Sequence, residues 1–303
     1  MVSRWRSVIV FRLVVPACLL FAAGVAMAAE LRPHANQAYD DFLEKATARF
    51  LARVTKAGGS SGGRDGVVPA RPGTEDGIIA VPDGLVHHWA GAAYMHGASL
   101  EQALAVSCAY DAYTRIYRSV VGSRLLARDG NTYRVQMRIR EGEGGVTAVL
   151  DVRSTVRYVR LASGRVYAIS NTNEIREVRN AGRQDEQLLP AGRDSGYLWR
   201  AATFSYLEQR SDGVAVEMET LGLSRSFPPM LGWLIEPIAR RLGRRSIERS
   251  LREFHAAVQA RQMAADACTD LATTEEKPET RDERPTTTAE SRAASSTPDT
   301  ARS

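Results

Sequence analysis

The residues of this chain that could carry out chemistry are few, and they are scattered. Three of the five histidines, His87, His88 and His96, stand in or beside one strand-like segment, 85–95; the others are His34 and His255. In an extended segment the adjacent His87 and His88 fall on opposite faces, so only one of them looks inward. A metal site would join one of this pair to His96, but no carboxylate or cysteine is spaced to complete it, and neither a metal nor a cofactor is expected. There is no His-Glu-x-x-His sequence, no Gly-x-Ser-x-Gly elbow and no phosphate-binding loop; GGSSGG at 58–63 has the composition of a linker. What remains is a set of polar side chains on or beside strand-like segments: His88, Tyr94, Asn171, Arg200, Glu219 and Arg225. Gathered in a pocket, they would orient the polar end of an apolar ligand, or His88 and Glu219 would act as base and acid. Without a pocket, Arg200 pairs with a carboxylate on a neighbouring strand and each histidine is satisfied locally.

The elements that must position these groups are mostly strands. Tyr133, Val135, Met137 and Ile139 alternate with Arg134, Gln136, Arg138 and Arg140, which makes one face apolar and the other basic. After Gly144 and Gly145 the alternation returns, with Val146, Ala148, Leu150, Val152, Val156 and Tyr158 on one face. Two further strands, 165–178 and 197–209, flank a polar loop at 180–196, long enough to rim a cavity mouth. In the second of them Leu198, Ala202, Phe204 and Tyr206 share a face that Arg200 interrupts. Val214, Val216 and Met218 follow the Ser211-Asp212-Gly213 turn. Ser99 opens a capping box with Gln102, so a helix is expected to about Tyr110, with a second short turn at 112–117. At the C-terminal end Leu231, Ile235, Ile238 and Leu242 form one stripe and Ile247, Leu251, Phe254 and Val258 another. At about 100° per residue the stripes centre near ~10° and ~170°, so a break at Gly243 is expected, with Ser246 capping a final helix from about 247 to 262.

Composition bounds the rest. With 303 residues, 44% hydrophobic and 25% charged, the chain is long enough for one well-developed core. Residues 1–28 read as a secretory signal, with Arg4, Arg6 and Arg12 before an apolar run and Ala26-Met27-Ala28 at the cleavage position; an uncleaved membrane anchor is the alternative. Cleavage removes three of the 40 Lys and Arg and none of the 35 Asp and Glu, so the formal charge falls from +5 to +2. An exported, near-neutral chain is not expected to bind nucleic acid. Cys108 and Cys268 remain, either bridged or as free thiols. The domain reading is signal 1–28, amphipathic helix 29–56, flexible linker 57–83, folded domain 84–263 and a polar, disordered tail 264–303.

The order strand, helices, six strands and long helix resembles the helix-grip fold of the START-related superfamily (SRPBCC), which includes lipid-transfer domains and polyketide cyclase and aromatase-like proteins. Local matches accompany it: LEQALAVSCAYDAYTRIY, VVGSRLL, and SRSFPPMLGWLIEPI leading to SIERSLREFHAAV. HHWAG, GYLW and ETLGLSR are similar to phrases in a group of exported bacterial proteins. The resemblance implies an α+β fold in which a curved antiparallel sheet of about seven strands wraps around the C-terminal helix, often over a cavity. It brings no catalytic set. The expected function is an exported, periplasmic or secreted carrier of a lipid or other hydrophobic small molecule, lined by His88, Tyr94, Met137, Leu150, Asn171, Arg200, Phe204, Met218, Leu251 and Phe254. Alternatives are a cyclase- or hydrolase-type enzyme in the same cavity, or an interaction domain with a filled core. Arg240, Arg241, Arg244 and Arg245 are candidates for contact with a membrane surface.

Overall fold

A computed structural model describes residues 29–56, 64–74, 76–143, 146–161, 164–226 and 232–260. The expected signal, the glycine-rich part of the expected linker and the expected tail lie outside the described residues. In chain order the elements are β1 (Ala29–Glu30), α1 (Pro33–Val54), β2 (Gly66–Pro72), β3 (Ile78–Val81), β4 (Gly84–His96), α2 (Leu100–Cys108), α3 (Tyr113–Ile116), β5 (Val120–Asp129), β6 (Thr132–Glu143), β7 (Val146–Leu161), β8 (Arg165–Arg179), β9 (Gln187–Leu188), β10 (Arg193–Asp194), β11 (Arg200–Gln209), β12 (Gly213–Arg225) and α4 (Gly232–Gln259).

One antiparallel sheet runs β2-β4-β12-β11-β8-β7-β6-β5, with β3 added to β4 and β9 to β8. Alternation along each strand divides its side chains between two faces, and register carries each face across the sheet. On the inner face Tyr133, Val135, Val156, Tyr158, Trp89, Val216 and Leu207 join Ile247, Leu251, Phe254 and Val258 of α4 and the buried residues of α2. On the outer face Val86, Phe204, Tyr206, Leu221 and Leu223 join Tyr39, Phe50 and Val54 of α1. The sheet is therefore covered on both sides. This is the helix-grip architecture, with an additional N-terminal helix against its back.

Three sequence expectations change. The stretch 57–83 holds strands as well as linker composition: β2 and β3 pair with β4. Pro69 and Pro72 are accommodated because β2 is the sheet's edge, and the register shifts between Val68 and Arg71. The C-terminal helix does not break at Gly243; α4 is continuous from Gly232 to Gln259 and includes Pro237. Gly243 has a different reason to be there, since a Cβ added to it would stand 2.5 Å from the Trp89 indole nitrogen. The helix resolves its conflicting stripes by burying the second, while Ile238 and Leu242 of the first stay half-buried. The loop 180–196 is tied down by β9, by β10 pairing with β1, and by Glu177, which accepts hydrogen bonds from the Ser195 backbone N–H (2.8 Å) and hydroxyl (3.0 Å).

The α2 helix begins as the sequence indicates, with both halves of the Ser99–Gln102 capping box formed. It brings Tyr110 against Tyr158 (O···O 2.8 Å), and the Tyr158 hydroxyl donates to the Ser107 carbonyl at 3.0 Å. Tyr133 packs on both rings, with centroids 5.6 and 5.3 Å away. This aromatic group fills one end of the inner face. Burial raises the pKa values of the Tyr110 and Tyr158 phenols well above the ordinary value, so they act as neutral hydrogen-bonding groups.

Candidate functional site

The ten side chains expected to line one cavity lie on both sides of the sheet. Met137, Leu150, Met218, Leu251 and Phe254 are on the inner face or the helix covering it, Leu251 and Phe254 as packed core. His88, Tyr94, Asn171, Arg200 and Phe204 are on the outer face. His88 is paired across the ladder with Leu221, and Phe204 with Glu219, which reaches His88. The physical reason is the two-sided cover: the apolar stripe Ala202, Phe204 and Tyr206 is real, but it serves α1.

The outer polar groups hold α1 in place. His88 is 2% exposed, its ring meets Phe42 edge-on at 5.5 Å, and its Nε2 lies 2.7 Å from Glu219 Oε1. Arg53 of α1 approaches Glu219 at 3.4 Å and Glu217 at 3.7 Å. Burial works to raise the pKa of the Glu219 carboxyl, but the hydrogen bond and charge of His88, with the charges of Arg53 and Arg49, outweigh it and hold the pKa below the usual carboxylate value. Arg200 donates to Asp40 at 2.9 Å and to Asn36, and lies 4.9 Å from the centre of the Tyr39 ring. The His88–Glu219 pair thus forms within hydrogen-bond reach, but beneath α1 and away from the inner face. Tyr94, at the strand end, donates to Asp212, which pushes its pKa up to about 12. Arg225 donates its backbone N–H to the Gly196 carbonyl at 2.9 Å. An outer cleft of about 480 Å³ lies between Leu43, Asn171, Asn173 and Arg200.

The inner face carries groups that sequence reasoning did not select. His87 is paired across the ladder with Gly222, beside Trp89, and its Nε2 lies 2.7 Å from the Ser224 hydroxyl. Burial pulls its pKa down to about 4, so it is neutral at neutral pH, while the residue retains part of its accessible surface. One cross-strand row contains Val156, Ser170, Thr203, Thr220 and Trp89; the next contains Tyr158, Ala168, Ser205, Met218 and Gly91. Ser170, Thr203, Ser205, Met218 and Thr220 are half-buried, in contrast to the closed aromatic end. The other end is closed by Leu150, Val152 and Ile175 with Ile139, Leu198 and Ala201. The α4 helix packs chiefly on β4 and β2, and it comes close enough at Gly91 that an added Cβ would meet Leu251 Cδ1 at 2.7 Å. The sequence signal for this wall was available as alternation, but its hydroxyls carry no apolar stripe to mark them as facing a cover.

Cys108 is disulfide-bonded, with its partner outside the described residues. Among the described residues no group of His, Cys, Asp and Glu is arranged to hold a metal ion, and no helix is long and apolar enough to cross a membrane. Arg240 is engaged by Asp76 (3.4 Å) and Glu236 (3.5 Å), while Arg241, Arg244 and Arg245 are exposed on α4.

No family model and no curated relative matches the sequence. Solved structures do. A STAR-related lipid transfer protein fragment from Xanthomonas axonopodis is 15% identical, with a TM-score of 0.43 over 64% of this chain and 99% of that one. Human STARD10 is 10% identical, with a TM-score of 0.43 over 77% and 84%. The ZhuI aromatase/cyclase from Streptomyces sp. R1128 is 10% identical, with a TM-score of 0.40 over 60% and 98%. The strand order, the helices α2 and α3 before β5, and the closing α4 make the architecture of this chain a helix grip.

Proposed function

We propose that this is an exported binding or carrier protein that holds a lipid or other hydrophobic small molecule between the inner face of the sheet and α4. The observation that carries the reading is the contrast within the inner face. Both ends are packed by large apolar side chains, while the middle strands β8, β11 and β12 present small, half-buried residues. Small, half-buried side chains between two packed ends of the face that α4 grips suit the wall of a ligand site. The similar solved structures named as a lipid transfer protein and as an aromatase/cyclase are compatible with a hydrophobic occupant.

A carrier is favoured over an enzyme because the expected acid–base pair, His88 and Glu219, is sealed under α1. On the inner face a nucleophile and base would have to be Ser224 and His87, and no carboxylate among the described residues orients that imidazole. Export is supported by the N-terminal signal pattern and by the disulfide at Cys108, which suits an oxidising compartment. The exposed arginines of α4 supply charge for approach to anionic head groups.

The test is native mass spectrometry of the protein purified from its own host and from a second host, followed by organic extraction. A stoichiometric hydrophobic adduct is the expected result. Protein free of adduct from both hosts, and unable to take up a neutral hydrophobic dye, would remove the carrier reading.

A further inference from the structure

We infer that the occupant of the inner-face site is an uncharged hydrophobe bearing hydroxyl or carbonyl oxygens along one edge, recognised by the hydroxyls of Ser170, Thr203, Thr220 and Ser205 and by His87. This rests on the carrier reading and names the chemistry of its ligand.

The register places the recognition groups together. Thr203 is paired with Ser170 on one side and Thr220 on the other, so three hydroxyls stand in one line across β8, β11 and β12. Ser205 adds a fourth in the next row, beside Met218. None of these four hydroxyls has a hydrogen-bond partner among the described residues, and none is sealed away from accessible space. Hydroxyls facing a packed core are normally satisfied, because each unpaired one costs about 1–3 kcal/mol. These four are placed to be satisfied by whatever fills the space. His87 extends the set by one strand: Ser224 engages its Nε2, and its Nδ1 has no partner among the described residues.

The same wall excludes charge. Charged side chains on the inner face stand at strand ends and are engaged, among them Glu141 by Ser246 and Arg249, Arg160 by Glu101, Glu177 by Ser195, and Arg128 over the Tyr133 ring. Between them, among the described residues, the wall holds hydroxyls, methionines and aliphatic groups, with an imidazole that burial keeps neutral. A carboxylate or phosphate brought here would leave water without a cation to meet it. A neutral hydroxyl or carbonyl oxygen would exchange water for the Ser and Thr hydroxyls on nearly equal terms.

Delipidated full-length protein at pH 7.5 is loaded with the neutral dye N-phenyl-1-naphthylamine and titrated with 1-monooleoylglycerol or oleate, which share one acyl chain and differ in head group. Monooleoylglycerol is expected to displace the dye with an affinity about tenfold higher than oleate, the factor two or more net hydrogen bonds supply. The double variant Thr203→Val and Thr220→Val keeps side-chain volume and removes two hydroxyls. It should reduce the preference to within about twofold. Ser205→Ala, which cannot clash, should lower it partially and guards against misfolding of the double variant. If the dye binds but oleate competes as well as monooleoylglycerol, or the variants retain the preference, the inference falls and the carrier reading stands. If neither the dye nor either lipid binds, both fall together.

Discussion

The two faces of β11 and β12 were built by different rules. Outward, β11 presents Ala202, Phe204 and Tyr206 and β12 presents Leu221 and Leu223, all buried beneath α1. Inward, the intervening positions are Ala201, Thr203 and Ser205, then Met218, Thr220 and Gly222, and most stay half-buried. At these positions the large apolar side chains face the back of the sheet, while Leu207, Val214 and Val216, toward one end of the same strands, pack the inner core. The difference teaches that the central stretch of these two strands is packed by large apolar side chains on the outer face, where α1 covers it, and by small or polar ones on the inner.

The sharpest way to test that division is to cut the same strand on each side. Phe204→Ala removes a fully buried ring that stacks on Phe50 at 5.1 Å, and urea unfolding should show a loss of about 3–5 kcal/mol. Thr203→Ala, one residue away on the other face, should cost under ~1 kcal/mol because its hydroxyl has no hydrogen-bond partner among the described residues. Equal losses would mean that the inner face is as tightly packed as the outer.

A second contrast lies between the two histidines. His88→Ala leaves Glu219 buried beside Arg53 without its closest partner and should cost about 2–4 kcal/mol, with α1 becoming protease-sensitive first. His87 acts through pH. Its folded pKa of about 4 lies below an unfolded value near ~6.5, so the unfolded chain binds more protons between those limits. Stability therefore rises with pH across that window and is level on either side of it. From pH 7 to pH 5 the protein should lose about 2 kcal/mol from this group, and His87→Gln should remove that part of the slope in urea unfolding followed at each pH. Glu219 acts lower down: its depressed pKa gives stability that is present above the unfolded carboxylate value and is lost as the pH falls through the folded one.

How much of this was legible in the sequence follows from the same two faces. Alternation located the strands from 132 to 161, and the capping box located α2, because those signals are local. The inward direction was not local. In β11 the stripe through Phe204 and the one through Thr203 are both compatible with a cover, and only the presence of α1 decides between them. The α1 stripe of Tyr39, Phe50 and Val54 was visible, but nothing in it says which surface it meets. For the same reason His88 was selected over His87, although adjacency showed that just one could look inward. The strands β2 and β3 were hidden by Pro69, Pro72 and Gly73, residues that mark loops except at a sheet edge. Gly243 read as a helix break because its reason, Trp89, is 154 residues away in the chain.

Gly243→Ala tests that last point. Alanine improves helix propensity by roughly 1 kcal/mol, so a solvent-facing glycine would be improved by the change. Here the new methyl meets the Trp89 indole at 2.5 Å, and the expected net effect is destabilisation by about 1 kcal/mol with a shift in tryptophan fluorescence.

The smallest expected change in stability carries the most information about the inner face. Ser205→Leu places a large apolar side chain between Ala168 and Met218, in the middle of the wall. In a close-packed core such an insertion costs about 1–3 kcal/mol, because neighbours must leave their rotamers. In a roofed space with room for a ligand it costs nothing, or adds up to ~1 kcal/mol by burying new apolar area, and it occupies the position the ligand needs. Unchanged urea midpoints together with lost uptake of a neutral dye would establish the space and its use at once. A loss of several kcal/mol would show that the half-buried hydroxyls line a wall already closed by the protein itself.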